Sequence, residues 1–187
     1  CDLLRQGAIA PGDKINVCVP TGNFGNILAG FYAKRMGVPI ATLICASNEN
    51  NVLTDFIQTG TYDRNRPFYQ TASPSMDILI SSNLERLLYL LSGSDEEVRG
   101  YMQALAAAGR YTVSQAVADA IRAEFACGFC TDAGGAATIG RMFRENSYLM
   151  DTHTAVAYTV LQAYRARTGD RTPTVVASTA SPFKFCA

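Results

Sequence analysis

An apolar run at residues 15–19 leads directly into Pro20-Thr21-Gly22-Asn23-Phe24-Gly25-Asn26, and that turn opens a helix-like segment at residues 27–36. A chain that must pass from strand to helix through two glycines has few folds open to it. Gly22 and Gly25 let the backbone turn tightly with no Cβ between it and a ligand, while the N–H groups at the helix start stay free to donate. Successive donors of this kind bind anions, and a phosphate monoester has the right size and charge. The same pattern also serves an ordinary strand-to-helix turn, so the loop alone does not decide between the two.

Beyond Gly37 and Pro39, residues 40–45 read as a second buried strand. The order strand, Gly loop, helix, strand predicts a βαβ unit with parallel strands, a right-handed crossover and ligands at the carboxyl ends of the strands. Residues 48–59 carry Val52, Leu53, Phe56 and Ile57 at helical spacing and close on Gly60, after which residues 61–74 read as a loop. Residues 78–91 are apolar on one face. Ser94-Asp95-Glu96-Glu97 is a helix start with acidic residues at the positive end of the dipole, so helix is predicted to residue 108. Val113, Val117 and Ile121 extend a helical pattern over 111–125, and residues 129–135 read as a turn. Helices over 136–143 and 151–167 then precede a last strand at 174–178. The expected fold class is α/β: a Rossmann-like parallel sheet flanked by helices, one domain over residues 1–187, with a helical insertion or subdomain at 78–125.

Composition narrows the function. With 48% hydrophobic and 17% charged residues in 187, the chain can bury a sizeable core. Lys and Arg balance Asp and Glu at 16 each, so no net field draws nucleic acid or an anionic membrane, and a small-molecule partner is expected. No apolar stretch approaches the about 20 residues of a membrane span, and no signal-peptide pattern opens the chain, which predicts a soluble cytoplasmic protein. Cys1, Cys18, Cys45, Cys127, Cys130 and Cys186 read mainly as small buried thiols rather than a disulfide framework. Cys127 and Cys130 have redox or metal spacing. A zinc site needs further ligands, however, and with one histidine and no second close Cys pair no metal site is expected. Cys1 is not an initiator Met and Asp2-Leu3-Leu4-Arg5 resembles the middle of a helix, so the chain is expected to be part of a longer one.

The turn lacks both the Lys of a P-loop and the Gly-x-Gly of a dinucleotide fingerprint, which lowers both nucleotide readings. Asn23 and Asn26 add amide donors that suit a terminal phosphate held without a metal. Four blocks, in order and across nearly the whole chain, then resemble threonine synthase, a pyridoxal-phosphate enzyme of the tryptophan synthase β-subunit fold class. They are Val19-Pro-Thr-Gly-Asn-Phe-Gly-Asn26 with Ala33-Lys-Arg-Met36, the block 45–56 (CASNENNVLTDF), the block 74–86 (PSMDILISSNLER) and the block 178–185 (STASPFKF).

That resemblance implies that Gly22, Asn23, Phe24, Gly25 and Asn26 hold the phosphate of pyridoxal 5'-phosphate, and that Thr179 presents a hydroxyl to the pyridine nitrogen. A neutral hydroxyl cannot keep that nitrogen protonated as a carboxylate would, so the ring is a weaker electron sink. The implied activity is that of a carbon–oxygen lyase acting on phosphates in threonine biosynthesis, converting O-phosphohomoserine and water to L-threonine and phosphate. The family's Schiff-base lysine lies on the N-terminal side of the Gly loop and has no match here. Lys14, Lys34 and Lys184 are the only lysines and each reads as solvent-exposed, so no catalytic residue is expected within this chain. The chain reads as the C-terminal part of such an enzyme, inactive alone, its oligomeric state open. Alternatives are another pyridoxal-phosphate lyase or sulfhydrylase of the same fold, and a non-catalytic domain that binds a phosphate-bearing metabolite. His153 reads as a helix-start residue. Asp132-Ala-Gly-Gly135 is a weak candidate for a second phosphate. Asn48 and Asn51 are candidates to line the cavity, and Arg86, Arg141 and Arg144 are phosphate partners by chemistry alone.

Overall fold

The computed structural model describes residues 2–184; Cys1, Cys186 and the end of the 178–185 block lie outside them. In chain order the elements are α1 (Asp2–Arg5), β1 (Ile15–Pro20), α2 (Gly25–Arg35), β2 (Ile40–Ser47), α3 (Val52–Thr59), β3 (Thr61–Asp63), α4 (Leu84–Ser92), α5 (Asp95–Ala108), β4 (Arg110–Thr112), α6 (Gln115–Glu124), β5 (Phe125–Phe129), α7 (Asp132–Asn146), α8 (Thr152–Thr168) and β6 (Thr174–Val176), with a single 3-10 turn at Pro74–Met76. The main sheet has the order β5-β2-β1-β6 and every pairing is parallel, with Cys18 opposite Ile44 and Val176, and Cys45 opposite Cys127. This is the parallel α/β sheet flanked by helices that the Gly-loop pattern predicts.

Period-two alternation divides the strand side chains between two cores. Val19, Leu43, Cys45, Phe125 and Cys127 join the larger cluster with Ile27 and Phe31 of α2, Phe56 of α3 and Leu87 of α4. Cys18, Ile44 and Ala46 face the opposite way, onto Val156, Ala157, Val160 and Leu161 of α8. The candidate subdomain shares the larger cluster, since Leu84, Val98, Tyr111, Val117 and Ile121 pack in it with Leu43. The Cys127–Cys130 spacing places the two thiols in different clusters, on opposite sides of the sheet, so they do not converge. All four described cysteines are buried and unpaired, and burial pushes the Cys18 thiol up to about 12. Among the described residues no group of His, Cys, Asp and Glu is arranged to hold a metal, and no helix is long and apolar enough to cross a membrane.

Four expectations are corrected. Residues 61–63 are not loop but β3, paired antiparallel to β4; Tyr62 lies opposite Tyr111 and their rings stack with centroids 5.3 Å apart. The segment predicted as helix from residue 78 is not helical until Leu84, because the Tyr62 hydroxyl donates to the Leu79 carbonyl and accepts the Ser81 N–H. The pattern over 111–125 contains only ten helical residues, flanked by β4 and by the edge strand β5. Lastly, the turn at 129–135 is shorter than expected: β5 runs through Phe129, and α7 begins at Asp132 with Thr131 as its cap.

Candidate functional site

The carboxyl ends of β1 and β6 and the N-termini of α2 and α8 enclose a cavity of about 370 Å³. Its floor is the turn that follows β1. Thr21 is buried and tied twice, its N–H donating to the Ala46 carbonyl (2.8 Å) and its hydroxyl to the Val19 carbonyl (2.7 Å). Phe24 stands at the N-cap of α2 with φ 63°, a left-handed conformation that is uncommon for a residue with a Cβ. Its ring is 1% exposed and packs against Phe125 at 5.6 Å, and this burial holds the unfavourable backbone in place. No side chain caps α2, so the first N–H groups of the helix, which have no intrahelical acceptor, are not used by a cap where Gly25 and Asn26 line the cavity.

A second segment, residues 71–83, forms the wall over this turn. A Cβ on Gly22 would come within 2.9 Å of Met76 Cα and 3.2 Å of the Ser75 carbonyl oxygen, so only glycine allows the two backbones to approach as they do. Asn23 is fastened to the same wall. Its Oδ1 accepts from the Ser82 N–H (2.7 Å) and hydroxyl (2.8 Å), and its carbonyl accepts from Asn83 Nδ2 (2.8 Å). The amide therefore holds the turn in shape with its oxygen, leaving its NH2 as the donor end. The wall itself is anchored by Asp77, whose carboxylate accepts from Asn48 (2.7 Å), Asn50 (3.0 Å) and the Thr71 hydroxyl (2.7 Å).

Opposite the turn, Thr179 lies just past the end of β6 and lines the cavity with Ala180 and Lys184. His153 and Asn83 complete the lining. Lys184 is the only charged side chain lining the cavity among the described residues, and no carboxylate of those residues lines the cavity. The surface is thus built of backbone N–H groups, amides, hydroxyls, an imidazole and one ammonium, a set that fits an anion better than a cation.

The structure brings together all six sequence-predicted cofactor residues: Gly22, Asn23, Phe24, Gly25, Asn26 and Thr179 all line this cavity. Other candidates go elsewhere. Asn48 is buried in the Asp77 network, and Asn51 accepts from Arg66 Nη1 (3.0 Å). Asp132 accepts from the Ala72 N–H (3.0 Å) and Thr131 caps Gly134 (3.2 Å), so the start of α7 is closed by its own side chains. Arg86 faces a larger groove of about 680 Å³ between α2, α4 and α5; neither it nor Arg141 nor Arg144 reaches the cavity. Of the three lysines, Lys34 alone differs from expectation. Lys14 is exposed. Lys34 is partly buried, with Nζ 2.7 Å from the Ala41 carbonyl and 2.6 Å from Glu124 Oε2, bridging α2 to β2 and α6. Lys184 is at the cavity. His153 and the wall residues Ser75, Met76 and Asn83 line the site although no sequence pattern pointed to them; Ser75, Met76 and Asn83 lie in a block whose family likeness was the only signal.

Fold and site together define the class, the parallel-sheet enzymes that include pyridoxal-phosphate-bound members. The superposition on a pyridoxal-phosphate-bound threonine synthase from Brucella melitensis has a TM-score of 0.89 at 44% identity and covers 97% of this chain and 38% of that one. The yeast threonine synthase structure superposes with a TM-score of 0.86 at 35% identity, covering 92% of this chain and 37% of that one. Maize serine racemase, at 10% identity and a TM-score of 0.51, shares the fold alone. By sequence, human threonine synthase-like 1 is 44% identical over 98% of this chain, and Saccharomyces cerevisiae threonine synthase 37% identical over 92%. No family model matches the chain. The chain belongs to the threonine synthase family, and spans 25% of the length of the human relative and 36% of the yeast one.

Proposed function

We propose that this chain forms the cofactor-phosphate cradle of a pyridoxal-phosphate-dependent threonine synthase, which converts O-phosphohomoserine and water to L-threonine and phosphate. The observation that carries this is the uncapped start of α2, reached through a left-handed Phe24 and opening into a cavity that no carboxylate of the described residues lines. A phosphate monoester fits that donor set. The backbone N–H groups of Gly22 to Asn26 hold it, and the positive end of the α2 dipole adds to the attraction. Bound there, the cofactor supplies the electron sink for proton removal next to the substrate's amine-bearing carbon. Thr179, which lines the cavity, would offer the ring nitrogen a neutral hydroxyl, which would not keep that nitrogen charged. The likeness to threonine synthases over nearly the whole chain favours this reading over other lyases of the same fold and over a non-catalytic phosphate-binding domain.

Turnover needs a lysine that carries the cofactor and moves protons. Lys34 is held by Glu124 and Ala41, and Lys14 is exposed away from the cavity. Lys184, at the rim, serves as the counter-charge for bound anions. The chain therefore binds the cofactor without turning substrate over, and the lysine comes from outside these 187 residues. Titration with pyridoxal phosphate, followed by borohydride reduction and peptide mapping, tests this. Saturable binding with protected Gly25 and Asn26 amides and no reduced adduct is the expected result. An adduct on Lys184, or threonine formed from O-phosphohomoserine by this chain, would overturn the assignment.

A further inference from the structure

His153 is 2% exposed, although the first turn of a helix is usually wet. Its Nε2 accepts the Ser75 backbone N–H at 3.3 Å, which an imidazole does only with a nitrogen that carries no proton. The ring proton then sits on Nδ1, 3.3 Å from Asp151 Oδ1 and 3.4 Å from the Thr152 hydroxyl. Asp151 Oδ1 is itself fixed, since it also accepts the N–H groups of His153 (2.9 Å) and Thr154 (3.2 Å). Ser75 belongs to the 3-10 turn Pro74–Met76, the segment that presses on Gly22 with no room for a Cβ. One imidazole therefore bears on the wall, and the wall bears on the phosphate turn.

We propose that His153 is a positioning residue: its unprotonated Nε2 clamps the Ser75 amide, holds the 73–77 wall against Gly22, and so keeps the donors of the turn in register for a phosphate group. The proposal rests on the cofactor reading above for the identity of the ligand. Protonation sets an Nε2–H against the Ser75 N–H and opens the clamp. The groups facing the ring are Asp151 at the cap of α8, Asp77 beyond the 3-10 turn and Lys184 from the C-terminal turn. Burial lowers the basicity of the ring most, the Asp151 carboxylate works against it, Lys184 adds to it, and Asp77 opposes it. The unfolded chain takes up this proton near about pH 6.5, and the native ring only below that. The clamp is thus complete above about pH 7 and is lost as pH falls through the lower native value.

The test uses the isotope-labelled chain and follows the His153 ring nitrogens and the Ser75 and Gly22 amides by NMR across pH. It is paired with pyridoxal-phosphate titrations of the wild type, His153→Leu and His153→Gln. The expected result is an Nδ1–H tautomer whose loss coincides with loss of Ser75 protection and weaker cofactor binding. At neutral pH the Leu variant binds about five- to tenfold more weakly, the worth of one buried hydrogen bond. The Gln variant, which can still accept from Ser75, recovers most of the affinity and loses the pH dependence. An Nε2–H tautomer, or Ser75 and Gly22 amides that ignore the His153 titration, would overturn the clamp whatever the variants do. A wild type whose amides follow His153 but which binds no pyridoxal phosphate would support the clamp and overturn the cofactor reading instead.

Discussion

Two helices begin at the cavity and their starts are built in opposite ways. At α8 the Asp151 carboxylate is spent on the helix's own N–H groups and on the Thr154 hydroxyl, and Thr154 Oγ1 lies 3.1 Å from Ser178 Oγ. At α2 the cap residue is a phenylalanine with no polar side-chain atom, turned left-handed and pinned by its buried ring. The first start is satisfied from within and is a structural post; the second has no side-chain cap. What separates them is a single choice at the cap. A polar cap stabilises its helix by about 1 kcal/mol, whereas an apolar cap held by distant packing gives up that gain and leaves the donors for a ligand.

This contrast can be broken most severely at Phe24. Phe24→Ala empties a fully buried site while the left-handed backbone remains, so a loss of about 3–4 kcal/mol in urea unfolding and loss of pyridoxal-phosphate binding are expected. Undiminished binding would show that the turn is shaped without the ring. Next comes Gly22→Ala, where the new Cβ meets Met76 Cα. A cost of about 1–3 kcal/mol and sharply weaker binding should follow, whereas Gly25→Ala, whose Cβ makes an ordinary 3.5 Å contact with Asn83, should fold normally. Equal stability of the two variants would remove the argument that the wall presses on Gly22. Asp151→Ala takes the cap from α8 and should lower stability by about 1–2 kcal/mol, seen as a lower melting temperature. Smallest is Ser94→Ala, which deletes the cap that accepts from Glu97 N at 3.2 Å. Calorimetry should find a loss of about 1 kcal/mol, and a cofactor titration no change, because α5 is remote from the cavity.

Much of the fold was legible because periodicity reports burial directly. Val52, Leu53, Phe56 and Ile57 at helical spacing are all buried in α3, and the Ser94 start became a capped helix ending at Ala108. Three-residue strands such as β3 and β4 carry too few residues for any period, and they exist because Tyr62 and Tyr111 stack across them. Lys34 looked solvent-facing because Glu124, its ion partner, is ninety residues away in sequence.

By itself the sequence determined the βαβ unit and the place of the Gly-rich turn, since glycine freedom, apolar runs and helix starts act between neighbours in the chain. It also carried, in its four blocks, the likeness to threonine synthases. Only the tertiary structure decided which residues stand over that turn. His153 meets Ser75 across 78 positions, Ser82 meets Asn23 across 59, and Thr179 reaches the cavity because β6 pairs beside β1. Those contacts depend on how strands order in the sheet and helices pack on it, and local propensity holds no record of that.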